Sequence, residues 1–236
     1  MAKKLTKKEL REPDEFQTFT MRFLQYVSEN RNKFYLAGVV ILVAVLAVGG
    51  YAFYENRYEA KAADQYAAAA DAALAGQGRE NPQALQMYED LVRLYPRSAV
   101  APLAYYHLGN LLYEKGEHDR AVASYEKFIE ASQGKDVFLV ALAYYGIGYC
   151  HEDRKDYAKA GEAYERAAEK SGDTAFRAVM ERNIGRTYEV MGNTEKAREH
   201  YEKALSKSGD PLMERYIRTI LAEMGKSTER SAKKGS

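Results

Sequence analysis

Glycines at positions 109, 148 and 185 are each followed twelve residues later by alanine, and four residues after that by tyrosine. The sets are Gly109–Ala121–Tyr125, Gly148–Ala160–Tyr164 and Gly185–Ala197–Tyr201. A degenerate earlier copy places Ala72, Ala84 and Tyr88 in the same frame. The alanines at 84, 121, 160 and 197 are 37, 39 and 37 residues apart. A period of that size constrains the fold strongly, because it marks stacked helical units that bury their apolar faces against one another. Antiparallel helices approach closely only where side chains are small. The spacing therefore predicts glycine on one helix facing alanine on the other, with the tyrosine one turn beyond filling the gap between units.

The punctuation between these sets is helical. Turn signals fall at Gly76-Gln77-Gly78, Lys115-Gly116, Gln133-Gly134, Ser171-Gly172, Gly192-Asn193 and Ser208-Gly209. Helix starts are expected at Asn81-Pro82, Ser98, Asp136, Asp173 or Thr174, and Asp210-Pro211. No stretch alternates as a strand would. After Asp210-Pro211, Leu212, Tyr216, Ile220 and Leu221 form an apolar stripe suited to a terminal cap. The expected fold is all-α: about four helical-hairpin units in a solenoid over residues 55–225, closed by a capping helix, with residues 226–236 as a disordered basic tail. Twenty tyrosines and no tryptophan fit an array that uses tyrosine as filler.

Residues 34–54, FYLAGVVILVAVLAVGGYAFY, carry no charge. As a helix rising about 1.5 Å per residue they reach roughly 30 Å, the thickness of a hydrocarbon core. Tyr35, Tyr51 and Tyr54 lie near the ends, where amphipathic rings favour the interface. Eight lysines and arginines precede the run, whereas a comparable stretch after it holds only Arg57, Lys61 and Arg79. That bias orients residues 1–33 to the cytoplasm and the repeats across the membrane. The rivals are a buried core helix and a cleaved signal peptide, for which Ala47-Val48-Gly49 would serve as the site. The 33-residue polar leader is long for a signal peptide, and helical patterning continues past that site. Gly49-Gly50 would weaken the helix where it leaves the membrane. Within the leader, residues 1–12 read as disordered, and Asp14 with Gln17 reads as a capping box. Phe16, Phe19, Phe23, Tyr26 and Val27 then give one apolar face, suited to a bilayer surface or to a partner.

The residues offer no site for chemistry. His107, His118, His151 and His200 have no metal-ligand spacing, and Cys150 is the only cysteine. Gly146-x-Gly148 lacks the strand and third glycine of a dinucleotide loop. The net charge of +1 gives no sign of nucleic acid as partner. No cofactor, metal or catalytic residue is expected. What remains is a surface: first helices of such hairpins line the concave side. Off their packing faces lie Tyr106, Asn110 and Tyr113, then Tyr145 and Tyr149, then Arg182, Asn183 and Arg186. Tyrosine and arginine are enriched where proteins bind, so the surface suits an extended peptide with apolar and acidic character.

The order of large and small residues in Tyr105-x-x-Leu108-Gly109…Ala121…Tyr125…Phe128 resembles the tetratricopeptide repeat. Tyr144-x-x-Ile147-Gly148…Ala160…Tyr164…Ala167 and Ile184-Gly185-x-x-Tyr188…Ala197…Tyr201…Ala204 resemble it too. The segment from Tyr88 through Pro96 to Gly109 looks like the repeats of bacterial envelope tetratricopeptide proteins. Those include the cell-division coordinator working with Tol–Pal and the lipoprotein of the outer-membrane assembly machine, although no lipobox cysteine lies near the N-terminus here. A leader, one span and a repeat domain together are similar to the ancillary SecYEG translocon subunit family. That resemblance implies an inner-membrane protein with a periplasmic repeat domain. Its partners would be the translocon, periplasmic chaperones or client polypeptides. The alternative role is an assembly scaffold acting through the leader helix and span.

Overall fold

The computed structural model describes residues 15–76, 81–172 and 175–234. Among them are ten helices and no strand. The chain divides into two compact units, Met1–Arg57 and Tyr58–Ser236.

The first unit holds α1 (Glu15–Glu29) and the apolar part of α2 (Arg31–Ala75). α2 is long and apolar enough to cross a membrane, a test that a signal sequence also passes. It runs unbroken through Gly49 and Gly50, where the sequence suggested a weak point. The leader expected over 1–12, the capping box of Asp14 and Gln17, and the Phe16 side chain of the expected apolar face lie outside what is described.

The second unit opens with the alanine-rich end of α2, which pairs with α3 (Pro82–Leu94). Tyr66 meets Tyr88 at a ring distance of 5.9 Å, and Gln65 Nε2 donates to the Met87 carbonyl at 3.3 Å. Three hairpins follow: α4 (Ala101–Glu114) with α5 (His118–Ser132), α6 (Val137–Asp153) with α7 (Tyr157–Ser171), and α8 (Ala175–Val190) with α9 (Thr194–Lys207). The last helix, α10 (Pro211–Lys234), packs on α9. The repeat alanines 84, 121, 160 and 197 are fully buried, and Tyr88, Tyr125, Tyr164 and Tyr201 are buried beside them.

The close approach differs from the expected one. Each repeat glycine faces the tyrosine ring itself rather than the alanine. A Cβ on Gly109 would come 2.7 Å from the Tyr125 ring, one on Gly185 would come 3.0 Å from Tyr201, and one on Gly148 would overlap Tyr164. A planar ring laid on bare helix backbone fills the space that any side chain would take.

The turn inside each hairpin is also repeated. Gly116, Lys155 and Gly192 occupy the same place, seven residues after the repeat glycine, at φ +79°, +62° and +78°. The next residue's N–H reaches back to Leu112, His151 and Tyr188 respectively, at 2.8–2.9 Å, closing the helix end with a left-handed residue. Three of the second helices start on side-chain caps, Asn81, Asp156 and Asn193, which accept from Ala84, Lys159 and Lys196 N–H, whereas α5 starts at Glu117 without one.

Ser98 does not start α4: its hydroxyl donates to the Tyr95 carbonyl, and the helix begins at Ala101 with Pro102 in its first turn. The start expected at Asp173 or Thr174 lies outside the described residues. On α10 the buried stripe is Ile217 and Met224, flanked by Met213, Ile220 and Leu221, while Leu212 and Tyr216 stay exposed. α10 also continues through most of the expected tail, to Lys234. From Ser227 to Lys234 the sequence holds no glycine or proline to stop it.

Candidate functional site

Counting from each repeat glycine, the residues three before, one after and four after fall on one stripe of a first helix, since i, i+4 and i+7 share a face. The stripes are Tyr106, Asn110 and Tyr113 on α4, Tyr145, Tyr149 and Glu152 on α6, and Arg182, Arg186 and Glu189 on α8. Adjacent stripes touch. Tyr113 meets Tyr149 at 6.2 Å between ring centroids. Tyr149 meets Tyr145 edge-on at 4.6 Å, and their hydroxyls share a 2.6 Å hydrogen bond. The ring row continues through Tyr145–Phe176 at 5.4 Å to Phe176–Phe138 at 5.6 Å. It thus runs across three first helices and ends on Phe138, which is more than half exposed.

The polar members of the stripes serve the scaffold. Asn110 Oδ1 accepts from the Tyr125 hydroxyl at 2.7 Å, Glu152 from Tyr164 at 2.9 Å, and Glu189 from Tyr201 at 2.6 Å. Each acceptor therefore holds the phenol of the tyrosine lying on its own repeat glycine. Burial pushes all three phenols well above their ordinary value, and Glu152 and Glu189 push Tyr164 and Tyr201 further. Arg186 is committed as well: its two terminal nitrogens meet the two oxygens of Glu152 at 2.5 Å each, tying α8 to α6.

Arg182 stands apart. Its Nε and Nη2 donate to Asn183 Oδ1 at 3.2 and 2.8 Å, and among the described residues no carboxylate pairs with it. Its charge faces the Tyr145 hydroxyl, whose ionisation it favours against the larger opposing effect of burial. Arg182 therefore presents a guanidinium with donors to spare beside half-buried rings of the row. Such a surface can hold an acidic, aromatic-bearing chain by hydrogen bonds, charge and ring contact.

The remaining expected residues divide. Tyr113 and Tyr149 are half-buried members of the ring row. Burial, then Asp153, pushes the Tyr113 phenol up to about 12. Tyr106 packs inward on Phe128 at 5.4 Å and on Tyr125 at 6.1 Å, so it forms the floor rather than the rim. Asn183 is fully buried and does not belong to the open face, and its Nδ2 has no acceptor. It sits two residues before the repeat glycine, a position that faces the preceding unit. Its equivalents are His107, stacked on Tyr88 at 5.5 Å, and Gly146, where a Cβ would come 2.6 Å from Tyr125.

Sequence reasoning missed Glu152, Glu189, Phe138 and Phe176. The two glutamates were recoverable, because they share the four-after offset with Tyr113. The phenylalanines were not, since they lie near the starts of α6 and α8 at unequal distances from the repeat glycine. An open groove of about 400 Å³ extends the α4 stripe toward α2, lined in part by Tyr66, Tyr88, His107, Asn110 and Leu111.

The stacked hairpins, with glycine under tyrosine in each, define a tetratricopeptide-type protein-interaction fold. Residues 25–226 match the Tetratricopeptide repeat-like domain family, and the chain belongs to that family. No match was found among curated proteins. Among solved structures, MamA 41-end from Desulfovibrio magneticus RS-1 is similar, with a TM-score of 0.51 at 18% identity. The likeness covers 62% of this chain and 75% of that one. The MamA RS-1 ArsTM double mutant gives 0.52 at 18% identity, covering 62% and 74%. At such identity the likeness is one of fold.

Proposed function

We propose that the chain is a non-catalytic, membrane-anchored protein-binding module of the bacterial envelope. Residues 34–54 would span the inner membrane, residues 1–33 would lie in the cytoplasm, and the repeats would stand in the periplasm. The reading rests on the uncharged helix, the excess of cations before it and the tetratricopeptide-like fold. The ring-bearing face along α4, α6 and α8 receives an extended segment of a partner polypeptide. Nearby translocon, chaperone and client chains are the partners that the resemblance of the whole architecture favours.

One observation carries the choice of ligand. Arg182 has no carboxylate partner beside Tyr145 of the ring row, whereas Arg186 next to it is paired with Glu152. An acidic residue next to aromatic or aliphatic ones satisfies both parts of that surface. The test is fluorescence anisotropy of the full chain in detergent with labelled peptides pairing Phe with Asp, or Phe with Lys. The acidic peptide binds more tightly, and Arg182→Glu weakens it by about tenfold, or about 1.4 kcal/mol. Equal affinity for both peptides, unchanged in Arg182→Glu, would overturn the assignment.

A further inference from the structure

We infer that α1 lies in the membrane interface, with the face of Phe19, Phe23 and Tyr26 turned into lipid. The inference rests on reading the apolar part of α2 as a span. Three observations within the first unit support it.

The first is the uncovered surface. Phe19, Phe23, Leu24 and Tyr26 are 69%, 52%, 60% and 58% exposed. A polar strip flanks the rings on the Tyr26 side, where Gln25 Nε2 donates to Glu29 at 3.0 Å, while Met21, 68% exposed, lies across the helix. The apolar surface does not stop at α1. Tyr35, Leu36, Ile41, Val43, Leu46 and Val48 are all at least 60% exposed, and the Tyr26–Phe34 ring contact joins the α1 face to the span. A bilayer covers all of it, whereas a protein partner on α1 alone would leave the rest bare.

The second is the direction of the bend. α1 ends at Glu29 and α2 begins at Arg31, with Asn30 alone between them. Asn30 N and Nδ2 both donate to the Tyr26 carbonyl at 3.0 Å, and the Asn30 carbonyl accepts from Lys33 and Phe34 N–H. Asn30 is thus tied by hydrogen bonds to the helix on either side of the break. Residues eight apart in an unbroken helix lie about 12 Å apart along its axis. The Tyr26 and Phe34 rings are 6.0 Å apart and meet edge to face at 89°, so the chain bends toward the side bearing both. Tyr26 belongs to the apolar face of α1, and Phe34 opens the uncharged run. A helix that leaves a bilayer and folds over its surface encloses lipid in its inner angle, and that is the side on which the apolar face lies. A bend the other way would have turned it to water.

The third is charge. Arg22 borders the aromatic face of α1, one turn from both Phe19 and Tyr26, and Arg31 and Lys33 stand at the bend, where a span over residues 34–54 would put them beside headgroup phosphates. An anionic lipid surface is therefore the partner, with the rings seated about 5–10 Å below the headgroup boundary.

Depth-dependent quenching tests this on the full chain. Cysteine replaces Phe19, Phe23, Gln25 or Val43 in turn, and each carries an environment-sensitive fluorophore. Native Cys150 is fully buried with its thiol pushed up to about 12 by burial, and a Cys150→Ala background removes it altogether. The chains are placed in vesicles of phosphatidylcholine and phosphatidylglycerol carrying nitroxides near the headgroup or near the acyl end. Probes at Phe19 and Phe23 are quenched several-fold more by the shallow nitroxide than the probe at Gln25. The probe at Val43 is quenched by the deep one. Deep quenching at Val43 with equal quenching at 19, 23 and 25 would overturn the placement of α1 and leave the span intact. Absence of deep quenching at Val43 would overturn the span, and this inference with it. Probes at 19 and 23 that leave water only when a soluble protein is added would assign the face to a protein instead.

Discussion

A methyl group added at Gly148 would meet the Tyr164 ring with no room to spare, because that ring already lies on helix backbone. Gly148→Ala is therefore expected to cost about 1–3 kcal/mol by overpacking, despite alanine's better helix propensity. Gly225→Ala, where nothing lies within 4 Å, should instead stabilise α10 by about 0.5–1 kcal/mol. Denaturant midpoints of the two variants separate a packing glycine from an idle one. The tyrosines also set an alkaline limit. The Tyr88 phenol is pushed up to about 12 by burial, from an ordinary value of 10. Below that ordinary value it is protonated in both folded and unfolded chains. Above it the unfolded chain ionises first, so stability falls as pH rises toward about 12. Tyr125, Tyr164 and Tyr201 act in the same direction. Melting points measured across this range should drop steeply above pH 10, and a flat profile would mean that the phenols ionise within the fold. The spacing of glycine, alanine and tyrosine was legible in the sequence, but the contact was not: the glycine was expected to face the alanine, and the tyrosine ring takes that place. The burial of Asn183 was not, because it depends on how the neighbouring unit is seated. Glu152 and Glu189 were passed over because helix carboxylates usually belong to solvated faces, and only the phenols reaching them give them another role.

Among elements, the hairpin turn is the most exposed to test. Gly116 and Gly192 take positive φ without a side-chain penalty, but Lys155 does so with a Cβ in place. Lys155→Gly is expected to raise stability by about 1 kcal/mol, read from the denaturant midpoint, and a loss would mean that its side chain holds the turn. The turn at Lys155 carries no glycine and so escaped sequence reading, although it stands seven residues after Gly148 as its equivalents do after theirs. The capping helix was legible as an element but not in its rotation. The stripe of Leu212 and Tyr216 and that of Met213 and Ile217 differ by one residue, and only packing on α9 chooses between them. Helix starts on Asn81, Asp156 and Asn193 were set by local chemistry, whereas the start at Ala101 follows from Ser98 turning its hydroxyl back to Tyr95.

For the whole molecule, repetition supplies the surface. The stripes of α4 and α6 carry their rings in one register, and Phe176 near the start of α8 joins them, so three first helices make a row that no single helix could make. The central claim is that this row, with Arg182 beside Tyr145, is where a partner polypeptide lies. The most direct measurement is in-cell photocrosslinking of the full chain, with a photoreactive residue at Tyr149 or Phe138 on the row, or at Glu162 on the second helix α7. Defined protein adducts are expected from positions 149 and 138, weakened several-fold by Arg182→Glu, with few from position 162. Equal adducts from all three positions, unaffected by Arg182→Glu, would contradict the claim.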